Sequence, residues 1–351
     1  MFLRDIWYFA LPGEALKAGQ MIHKVLLGEP LVIGRTHDGA PFALRDICPH
    51  RGVPLSAGRL YGPSANGCGA DIVECPYHGW KFRLDGQCAD IPSLVPGQDV
   101  EVGRIRVQRY RVRETQGNLW VFMPAEGHRD IDPTMEPPQV PVFGDGAPNI
   151  RESMRFACPI DHAVIGLMDP AHGPFVHRAW WWRTGASIHE KAKRFAPVEL
   201  GFSMVEHQPS RNSFGYKILG GQPTTEITFR LPGVRIETIK AGRHTLVGLT
   251  TVTPIDETTT EITQSFYWTM PILSLLKPVA RRFMRAFLKQ DRDMVNLQQA
   301  GLKFDPRLML INDADVQAKW YHRLKNEWMD AQAQDRPFAN PVEETVLRWR
   351  S

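Results

Sequence analysis

Two short segments of the sequence each pair a cysteine with a histidine. Cys48 and His50 enclose one proline, and Cys75 and His78 enclose a proline and a tyrosine. Thiolate and imidazole are side chains that bind zinc and iron–sulfur centres. Because the two ligands of each pair are close in sequence, one loop can direct both at the same centre. The two segments together therefore predict a site with two sulfur and two nitrogen donors.

Three interpretations of these segments remain open from the residues alone. The segments can be two unrelated buried Cys/His pairs, although both carry a proline between the ligands. They can hold one tetrahedral zinc ion. They can also hold a Rieske [2Fe–2S] cluster, in which two cysteines bind one iron and two histidines bind the other. Such a cluster transfers single electrons at a higher potential than an all-thiolate cluster.

A second group of candidate ligands lies between residues 169 and 177. Asp169 and His172 are spaced as neighbours on one helical face. His172 and His177 would lie about 140° apart on a straight helix, which is too far for one metal ion. We expect Gly173-Pro174 to break the helix and let His177 turn back. The alternative is that the two histidines are surface residues beside a turn.

A third ligand is expected on a predicted helix much later in the chain. That helix carries an apolar stripe, formed by Phe283, Phe287, Leu288, Met294 and Val295. Asp291 falls within this stripe, whereas Asp293 falls on the polar face. A carboxylate on an apolar face needs a partner, which is a metal ion or a nearby arginine. Two histidines and one carboxylate on one face of iron leave positions open for dioxygen and substrate.

The elements that position these residues change in character along the chain. The first part has strand-like runs at 31–35, 105–112 and 118–122, separated by turns. A proline-rich linker follows at about 127–148. The second part is mixed, with β-rich runs within 224–268 and helices expected at 272–300 and about 313–333. The overall expectation is an α+β protein.

Composition excludes several classes of protein. The chain has 351 residues with a formal net charge of +4, which is too small to indicate a nucleic-acid partner. No apolar run is long enough for a membrane span. The N-terminal residues do not resemble a secretory signal, and five cysteines are an odd number for a disulfide framework. We therefore expect a cytoplasmic protein.

Residues 48–52 (CPHRG) and 75–80 (CPYHGW), together with Asp169-x-x-His-x-x-x-x-His177, resemble the motifs of Rieske non-heme iron oxygenases. The resemblance covers nearly the whole chain. It implies an all-β Rieske [2Fe–2S] domain at 1–126. It also implies a helix-grip, START-like catalytic domain at 127–351, with an antiparallel sheet and a long C-terminal helix. The segment between the two cysteine boxes is longer than expected, and its surplus contains Cys68.

The resemblance also implies a role for each candidate residue. Cys48, His50, Cys75 and His78 would bind the [2Fe–2S] cluster, whereas His172, His177 and Asp291 would bind the mononuclear Fe(II). Asp169 would instead bridge the iron site to a cluster histidine, His78, of a neighbouring subunit. Members of the family are commonly head-to-tail homotrimers, and a homotrimer is therefore expected.

The implied activity is that of a terminal oxygenase similar to the vanillate O-demethylase oxygenases. Electrons would pass from NAD(P)H through a reductase or ferredoxin, and O2 would be used to hydroxylate or demethylate a hydrophobic, aromatic substrate. Two alternatives are an oxygenase for a sterol-like or alicyclic substrate and a Rieske electron carrier without oxygenase chemistry. A zinc-stabilised ligand-binding module is a further alternative.

Two further features qualify this interpretation. Gly166 stands where many relatives of this kind carry an asparagine, so this chain lacks a side-chain amide at that position near the iron. Trp180–Trp182 follow the iron motif closely, and they are candidates for a substrate-lining wall or for core packing.

Overall fold

The computed structural model describes residues 1–66, 69–128, 132–177, 188–209 and 222–351. The chain forms two compact units, Phe2–Gln139 and Val140–Ser351. The division between the two units, after Gln139, lies within the proline-rich segment 127–148. The predicted boundary, after residue 126, lies immediately before that segment. The described residues of this segment form neither helix nor strand.

The described residues of the first unit are mainly β-structure. In chain order the elements are β1 (Ile6–Pro12), β2 (Met21–Leu26), β3 (Glu29–Arg35), β4 (Pro41–Arg45), β5 (Arg59–Tyr61), α1 (Pro63–Asn66), β6 (Ile72–Glu74), β7 (Lys81–Arg83), β8 (Cys88–Asp90), β9 (Arg109–Tyr110), β10 (Val112–Thr115) and β11 (Asn118–Met123). They form three antiparallel sheets with the orders β1-β11-β10, β2-β3-β4-β9 and β5-β6-β7-β8.

Two of the three predicted strands are confirmed, and the third is wrong as a single element. Runs 31–35 and 118–122 lie in β3 and β11. The run 105–112 instead passes between sheets: the Val107 N–H donates to the Gly86 carbonyl at 2.9 Å, whereas Arg109 and Tyr110 pair with β4. The alternation of apolar residues shifts by one position between Val107 and Tyr110, so the sequence does mark the change of sheet that a single strand overlooks.

The core of the first unit surrounds the two cysteines that the sequence analysis singled out. Cys48 and Cys75 are buried in one cluster with apolar side chains from several strands, and Cys88 lies in the same cluster. The further members include Val32, Phe42, Leu44, Leu55, Val73 and Phe82. The cysteine boxes therefore begin in the core and continue outward as loops.

The second unit combines one large antiparallel sheet with helices. Its described elements are β12 (Ile150–Phe156), α2 (Ile160–Met168), α3 (Gly173–Val176), β13 (Glu190–Val198), β14 (Gly201–His207), β15 (Thr224–Arg230), β16 (Val234–Ala241), β17 (His244–Pro254), β18 (Thr260–Trp268), α4 (Ile272–Leu275), α5 (Lys277–Leu302), α6 (Val316–Ala333) and β19 (Thr345–Arg350). The eight strands are ordered β12-β18-β17-β16-β15-β14-β13-β19.

Helices α5 and α6 pack against the sheet at different strands. Met284 of α5 joins Ile150 and Trp268 in one buried cluster. Trp320 of α6 contacts Phe195 and Phe202, with ring centroids 5.6 and 5.1 Å apart respectively. The predicted α+β architecture, with an antiparallel sheet and a long C-terminal helix against it, is confirmed.

The apolar stripe predicted for α5 is only partly correct. The buried residues of α5 are Met284 and Leu288, and of these only Leu288 belongs to the predicted stripe. Phe283 and Met294, which the sequence pattern assigned to the core, are 41% and 47% exposed. Across the described ranges, no helix has both the length and the apolar content that a membrane crossing requires.

Candidate metal centres

The two cysteine–histidine segments form loops with the same backbone geometry. In each loop the cysteine N–H donates to the carbonyl five residues later, at 2.9 Å for Cys48 and 2.8 Å for Cys75. The cysteine carbonyl then accepts the N–H of Gly52 in one loop and of Gly79 in the other. These glycines have φ values of +72° and +70°, a region that other residues adopt only with strain. The loops are therefore a matched pair.

The four donors divide into a buried sulfur side and a more exposed nitrogen side. Cys48 and Cys75 are each 2% exposed, and both are free thiols. Burial raises the pKa of Cys48 to about 11, and the adjacent Cys75 sulfur adds to this effect. The His50 and His78 rings lie nearer the surface, with centroids 4.6 Å apart. Desolvation and the neighbouring His50 lower the pKa of His78, which favours the neutral imidazole that binds metals.

The spacing of these donors argues against a single zinc ion. Four donors around tetrahedral zinc would lie roughly 3–4 Å from one another, given metal–ligand bonds of about 2.0–2.3 Å. Among the described residues, no three of these four donors form a group within 4.8 Å. The four donors therefore do not form the compact group that a single zinc ion requires.

Trp80 adds a further indication of what the two loops hold. Its ring stacks on the His50 ring, with centroids 4.6 Å apart and planes inclined by 6°. Its indole N–H is buried without a hydrogen-bond partner among the described residues. A buried donor normally has an acceptor, and an inorganic sulfide is one that a [2Fe–2S] cluster would supply.

The second candidate centre is built from two turns and one long helix. Helix α2 ends at Met168, and Asp169 is extended with φ −61° and ψ 117°. Pro170 disfavours helical geometry in the residue before it, which accounts for this early end. Helix α3 then runs from Gly173 to Val176, with Pro174 in its first turn, where proline is tolerated.

This geometry corrects two expectations from the sequence. Asp169 and His172 do not share a continuous helix, because the break precedes Pro170. Gly173-Pro174 begins a helical turn instead of ending one. His172 and His177 flank that single turn at its two ends, and this brings the histidines together.

The structure brings His172, His177 and Asp291 to one point. The two Nε2 atoms are 3.3 Å apart. The Asp291 Oδ1 lies 3.2 Å from the His177 Nε2 and 3.9 Å from the His172 Nε2. Three ligands at right angles around an ion, with bonds of about 2.1 Å, would be about 3 Å apart. The triangle therefore fits three ligands on one face of a metal ion.

Both histidines direct Nε2 at this point because Nδ1 is used elsewhere. The His172 Nδ1 lies 2.8 Å from the Asp169 carbonyl oxygen, and the His177 Nδ1 lies 2.9 Å from the Gln290 Oε1. Each oxygen accepts the Nδ1 proton, so each Nε2 keeps a lone pair for a metal. Burial lowers the pKa of His172, but the Asp169 and Asp291 carboxylates outweigh it and the pKa is raised.

The structure distinguishes clearly between the two aspartates on α5. Asp291 lies beside the two histidines, whereas Asp293 pairs with Lys289 at 2.6 Å and with Arg292 at 3.3 Å. The arginine alternative therefore applies to Asp293. Gln290 is a residue that the sequence analysis missed, since an uncharged amide beside an aspartate carries no recognisable metal signal.

Asp169 lies at the edge of this group and does not join the triangle. Its Oδ1 accepts the Ala171 N–H at 2.7 Å, and its Oδ2 is 3.6 Å from the His172 Nδ1. Gly166, one turn earlier on α2, has nothing within 4 Å of the position that a Cβ would take. Cys68 and Trp180–Trp182 lie outside the described residues.

The sheet face that carries the helices is not uniformly apolar. Ile227, Glu237 and Phe266 lie in one row across strands β15 to β18, and Phe266 packs in the cluster that contains Met284 of α5. Within the same face, Arg235 pairs with Glu237 at 2.9 Å, and both side chains are less than a quarter exposed. This face therefore offers an apolar surface with a neutralised charge pair.

Comparison with known proteins gives two family matches on this chain. The Rieske [2Fe-2S] domain matches residues 6–111, and the vanillate O-demethylase oxygenase C-terminal domain matches residues 157–331. The first match contains both cysteine–histidine loops. The second contains the whole triangle of His172, His177 and Asp291.

Two curated relatives match parts of the chain. The 3-chlorobenzoate-3,4-dioxygenase oxygenase subunit of Comamonas testosteroni is 40% identical over 134 residues, which are 38% of this chain and 28% of that protein. The oxygenase component of dicamba O-demethylase from Stenotrophomonas maltophilia is 34% identical over 183 residues, which are 51% of this chain and 48% of that protein. The matches thus span less than half of these relatives.

Solved structures match over a larger share of the chain. The structure of dicamba monooxygenase with non-heme iron and dicamba has a TM-score of 0.70 at 21% identity, covering 95% of this chain and 99% of that one. At this identity the likeness shows a shared fold. Because a Rieske model matches the first unit and an oxygenase model matches the second, the chain belongs to the Rieske non-heme iron oxygenases.

Proposed function

We propose that this protein is the terminal oxygenase of a Rieske-type system. It hydroxylates or oxidatively demethylates a hydrophobic, aromatic substrate, using O2 and electrons relayed from NAD(P)H by a reductase or ferredoxin. One observation carries the proposal: a single chain holds a matched pair of cysteine–histidine loops and a separate triangle of two histidines and an aspartate. An electron carrier needs only the first of these sites.

In this proposal Cys48, His50, Cys75 and His78 hold the [2Fe–2S] cluster. The cluster supplies one-electron transfer when bound. The chain contributes a buried pocket for the two thiolates, two glycine turns that let the loops close, and the Trp80 ring against His50. These features support the assignment because they hold the sulfur side away from water and leave the histidine side accessible.

His172, His177 and Asp291 hold the mononuclear iron in this proposal. Iron with three such ligands supplies the open positions at which O2 is activated. The Nδ1 contacts to the Asp169 carbonyl oxygen and the Gln290 amide oxygen orient the two rings so that both Nε2 atoms face the same point. Stacking of Phe287 on the His177 ring, at 4.1 Å between centroids, limits access of water from that side.

The substrate is proposed to lie against the sheet face that carries the helices. Ile227 and Phe266 supply apolar contact there, and the paired Arg235 and Glu237 supply hydrogen-bonding groups without net charge. An aromatic compound with a polar substituent suits both features. A sterol-like or alicyclic substrate remains the alternative, because the apolar row does not distinguish ring types.

The assembly and its partners belong to the same proposal. Residues 1–126 form the Rieske domain and residues 127–351 the catalytic domain of a cytoplasmic homotrimer. Asp169 links the iron site of one subunit to His78 of the neighbouring subunit. Its half-exposed carboxylate, 3.6 Å from the His172 Nδ1, supports this role, because it contacts one metal ligand while remaining accessible to another.

The proposal is tested by metal and sulfide analysis of anaerobically purified protein. We expect about three irons and two acid-labile sulfides per chain, with the visible spectrum of a Rieske cluster. His172→Ala should lose one iron and all oxygenase turnover while keeping the spectrum. Zinc without sulfide would overturn the proposal. Turnover that survives the His172→Ala change would exclude the triangle as the reaction centre.

A further inference from the structure

His177 is held on three sides by one face of helix α5. The Phe287 ring stacks on the imidazole, with centroids 4.1 Å apart and planes inclined by 26°. The Gln290 Oε1 lies 2.9 Å from Nδ1, and the Asp291 Oδ1 lies 3.2 Å from Nε2. Residues 287, 290 and 291 are spaced i, i+3 and i+4, so they project from neighbouring positions of the helix. The helix that carries one candidate ligand therefore also orients another.

The two histidines differ in what holds the Nδ1 proton. For His172 the acceptor is the backbone carbonyl of Asp169, which belongs to the same turn. For His177 the acceptor is the Gln290 side chain, 113 residues further along the sequence. A backbone acceptor is retained in any variant, whereas a side-chain acceptor is not. The orientation of His177 thus depends on a single replaceable group.

The Gln290 contact determines which nitrogen of His177 can bind a metal. A neutral imidazole carries one proton, and an acceptor at Nδ1 keeps the proton there and leaves the lone pair on Nε2. Without that acceptor, the proton can move to Nε2 or the ring can turn. His177 is only 5% exposed, so water has little access to replace the lost partner.

We propose that Gln290 is a positioning residue for the mononuclear iron site: its amide oxygen fixes the tautomer and the ring orientation of His177. The proposal rests on the proposed function, in that it assumes iron at the triangle of His172, His177 and Asp291. Gln290 itself would touch neither the metal ion nor the substrate. Its loss would weaken iron binding because His177 would no longer be held in position.

The test measures Fe(II) affinity of the full-length protein with its cluster in place. The mononuclear iron is removed with a mild chelator, and Fe(II) is returned in competition with a coloured chelator under anaerobic conditions. Gln290→Leu removes the acceptor at similar volume and should weaken Fe(II) binding by about 10- to 100-fold. Gln290→Glu keeps an acceptor at the same position and should retain the affinity. Gln290→Asn draws the acceptor back and should weaken binding as well, which provides a second variant if Gln290→Leu does not fold.

Gln299 provides a matched control on the same helix. Like Gln290, it is a glutamine whose side chain contacts the Nδ1 of a histidine: its Nε2 lies 2.7 Å from the His162 Nδ1. His162 lies on α2 and is not a candidate ligand. Gln299→Leu should leave Fe(II) affinity unchanged. Equal weakening by Gln299→Leu and Gln290→Leu would overturn the proposal, because it would indicate general loosening of the helix.

The remaining outcomes separate this inference from the function on which it rests. If wild-type protein binds Fe(II) and His172→Ala does not, the iron site stands. Wild-type affinity in Gln290→Leu would then overturn the role of Gln290 alone. If wild-type protein binds no Fe(II) that depends on His172, the proposed function fails and the role of Gln290 fails with it.

Discussion

The two carboxylate oxygens of Asp169 have different neighbours, one in the backbone turn and the other at His172. Its Oδ1 accepts the Ala171 N–H and fixes the turn between α2 and α3, while Oδ2 remains near His172. The carbonyl of the same residue accepts the His172 Nδ1 proton. A change of the side chain that preserves the turn therefore tests the proposed bridge separately from the iron site.

Asp169→Asn is expected to abolish turnover without loss of either metal centre. The variant amide oxygen can still accept the Ala171 N–H, and the backbone acceptor for His172 is unchanged. Loss of the carboxylate removes the proposed path to the neighbouring subunit, so oxidation of the reduced cluster by substrate and O2 should slow by at least about 100-fold. Stopped-flow absorbance measures this rate. An unchanged rate would exclude Asp169 as the bridge.

Residue types and spacing were sufficient to identify the candidate ligands but not their orienting partners. Asp291 was separable from Asp293 because one lies on the apolar side of a helix and the other does not. Gln290 carries no charge and precedes an obvious ligand, so nothing in the sequence distinguishes it from a solvated amide. Its role depends on where His177 lies, which only the packed structure provides.

At the scale of elements, the two cysteine loops depend on glycines with positive φ. Gly52 has no atom within 4 Å of the position of a Cβ, whereas Gly79 has the Pro92 Cγ at 3.3 Å. Gly28 in the turn between β2 and β3 has a similar φ of +77° and equally open surroundings, but it lies outside both loops. Substitutions at these three glycines therefore distinguish the effect of backbone strain from the effect of a packing clash. They also show whether either effect changes how firmly the cluster is held.

Alanine at Gly52 or Gly28 is expected to destabilise the first unit by about 1 kcal/mol through backbone strain alone. Gly79→Ala should cost more, because its Cβ also presses on Pro92. Only the Gly52 and Gly79 variants should lose visible cluster absorbance faster on warming. Equally fast loss in Gly28→Ala would show that cluster retention follows general stability and not loop geometry.

An ion pair between a buried lysine and a partly exposed aspartate joins helix α2 to α6. Lys325, 9% exposed, contacts both oxygens of Asp161 at 2.7 and 2.8 Å, and the Tyr321 hydroxyl donates to the same carboxylate at 2.7 Å. Burial raises the pKa of Asp161, but the Lys325 ammonium and the Tyr321 hydroxyl outweigh this, and the pKa is lowered overall. This pair therefore anchors the helix that leads into the histidine motif.

Asp161→Asn should destabilise the second unit by about 3 kcal/mol at pH 7, because it leaves the Lys325 ammonium buried without its counter-charge. The lowered pKa means that this stabilisation is fully present above about pH 4 and is lost as the pH falls through the folded-state value. Thermal melting of both proteins should therefore converge at low pH. Tyr321→Phe, which removes a neutral donor, should cost only about 1 kcal/mol. An equal gap between wild type and Asp161→Asn at low and neutral pH would contradict the ion-pair account.

The elements themselves were predictable where one periodic pattern stays within one sheet or helix. Strands β3 and β11 and helices α5 and α6 fall close to their predicted ranges. The break between residues 105 and 112 was missed, although the alternation of apolar residues shifts by one position between Val107 and Tyr110, where the chain changes sheets. The helix break in the histidine motif was placed too late, since Pro170 acts before Gly173-Pro174 does.

At the scale of the whole molecule, the presence of two sites in one chain is consistent with the family assignment. It does not by itself determine whether electrons pass within one subunit or between subunits. The proposed homotrimer assigns the cluster of one subunit and the iron of its neighbour to one reaction unit. Each subunit then contributes a donor half and an acceptor half to different reaction units. Variants that each destroy one half can therefore complement one another only if electrons cross between subunits.

Co-expression of Cys48→Ser and His172→Ala chains is expected to restore oxygenase turnover that neither variant shows alone. In Cys48→Ser the cluster is lost and the iron triangle remains, whereas in His172→Ala the reverse holds. Random mixing in a head-to-tail ring pairs an intact cluster with a neighbouring intact iron at about a quarter of the interfaces. Isolation through two affinity tags removes the trimers of a single chain type, and each mixed trimer has one such interface out of three. Turnover per chain should therefore reach about a third of the wild-type value, measured with an excess of reductase. Mixed trimers without activity would show that electrons remain within one subunit, since every hybrid chain lacks one of its own two centres.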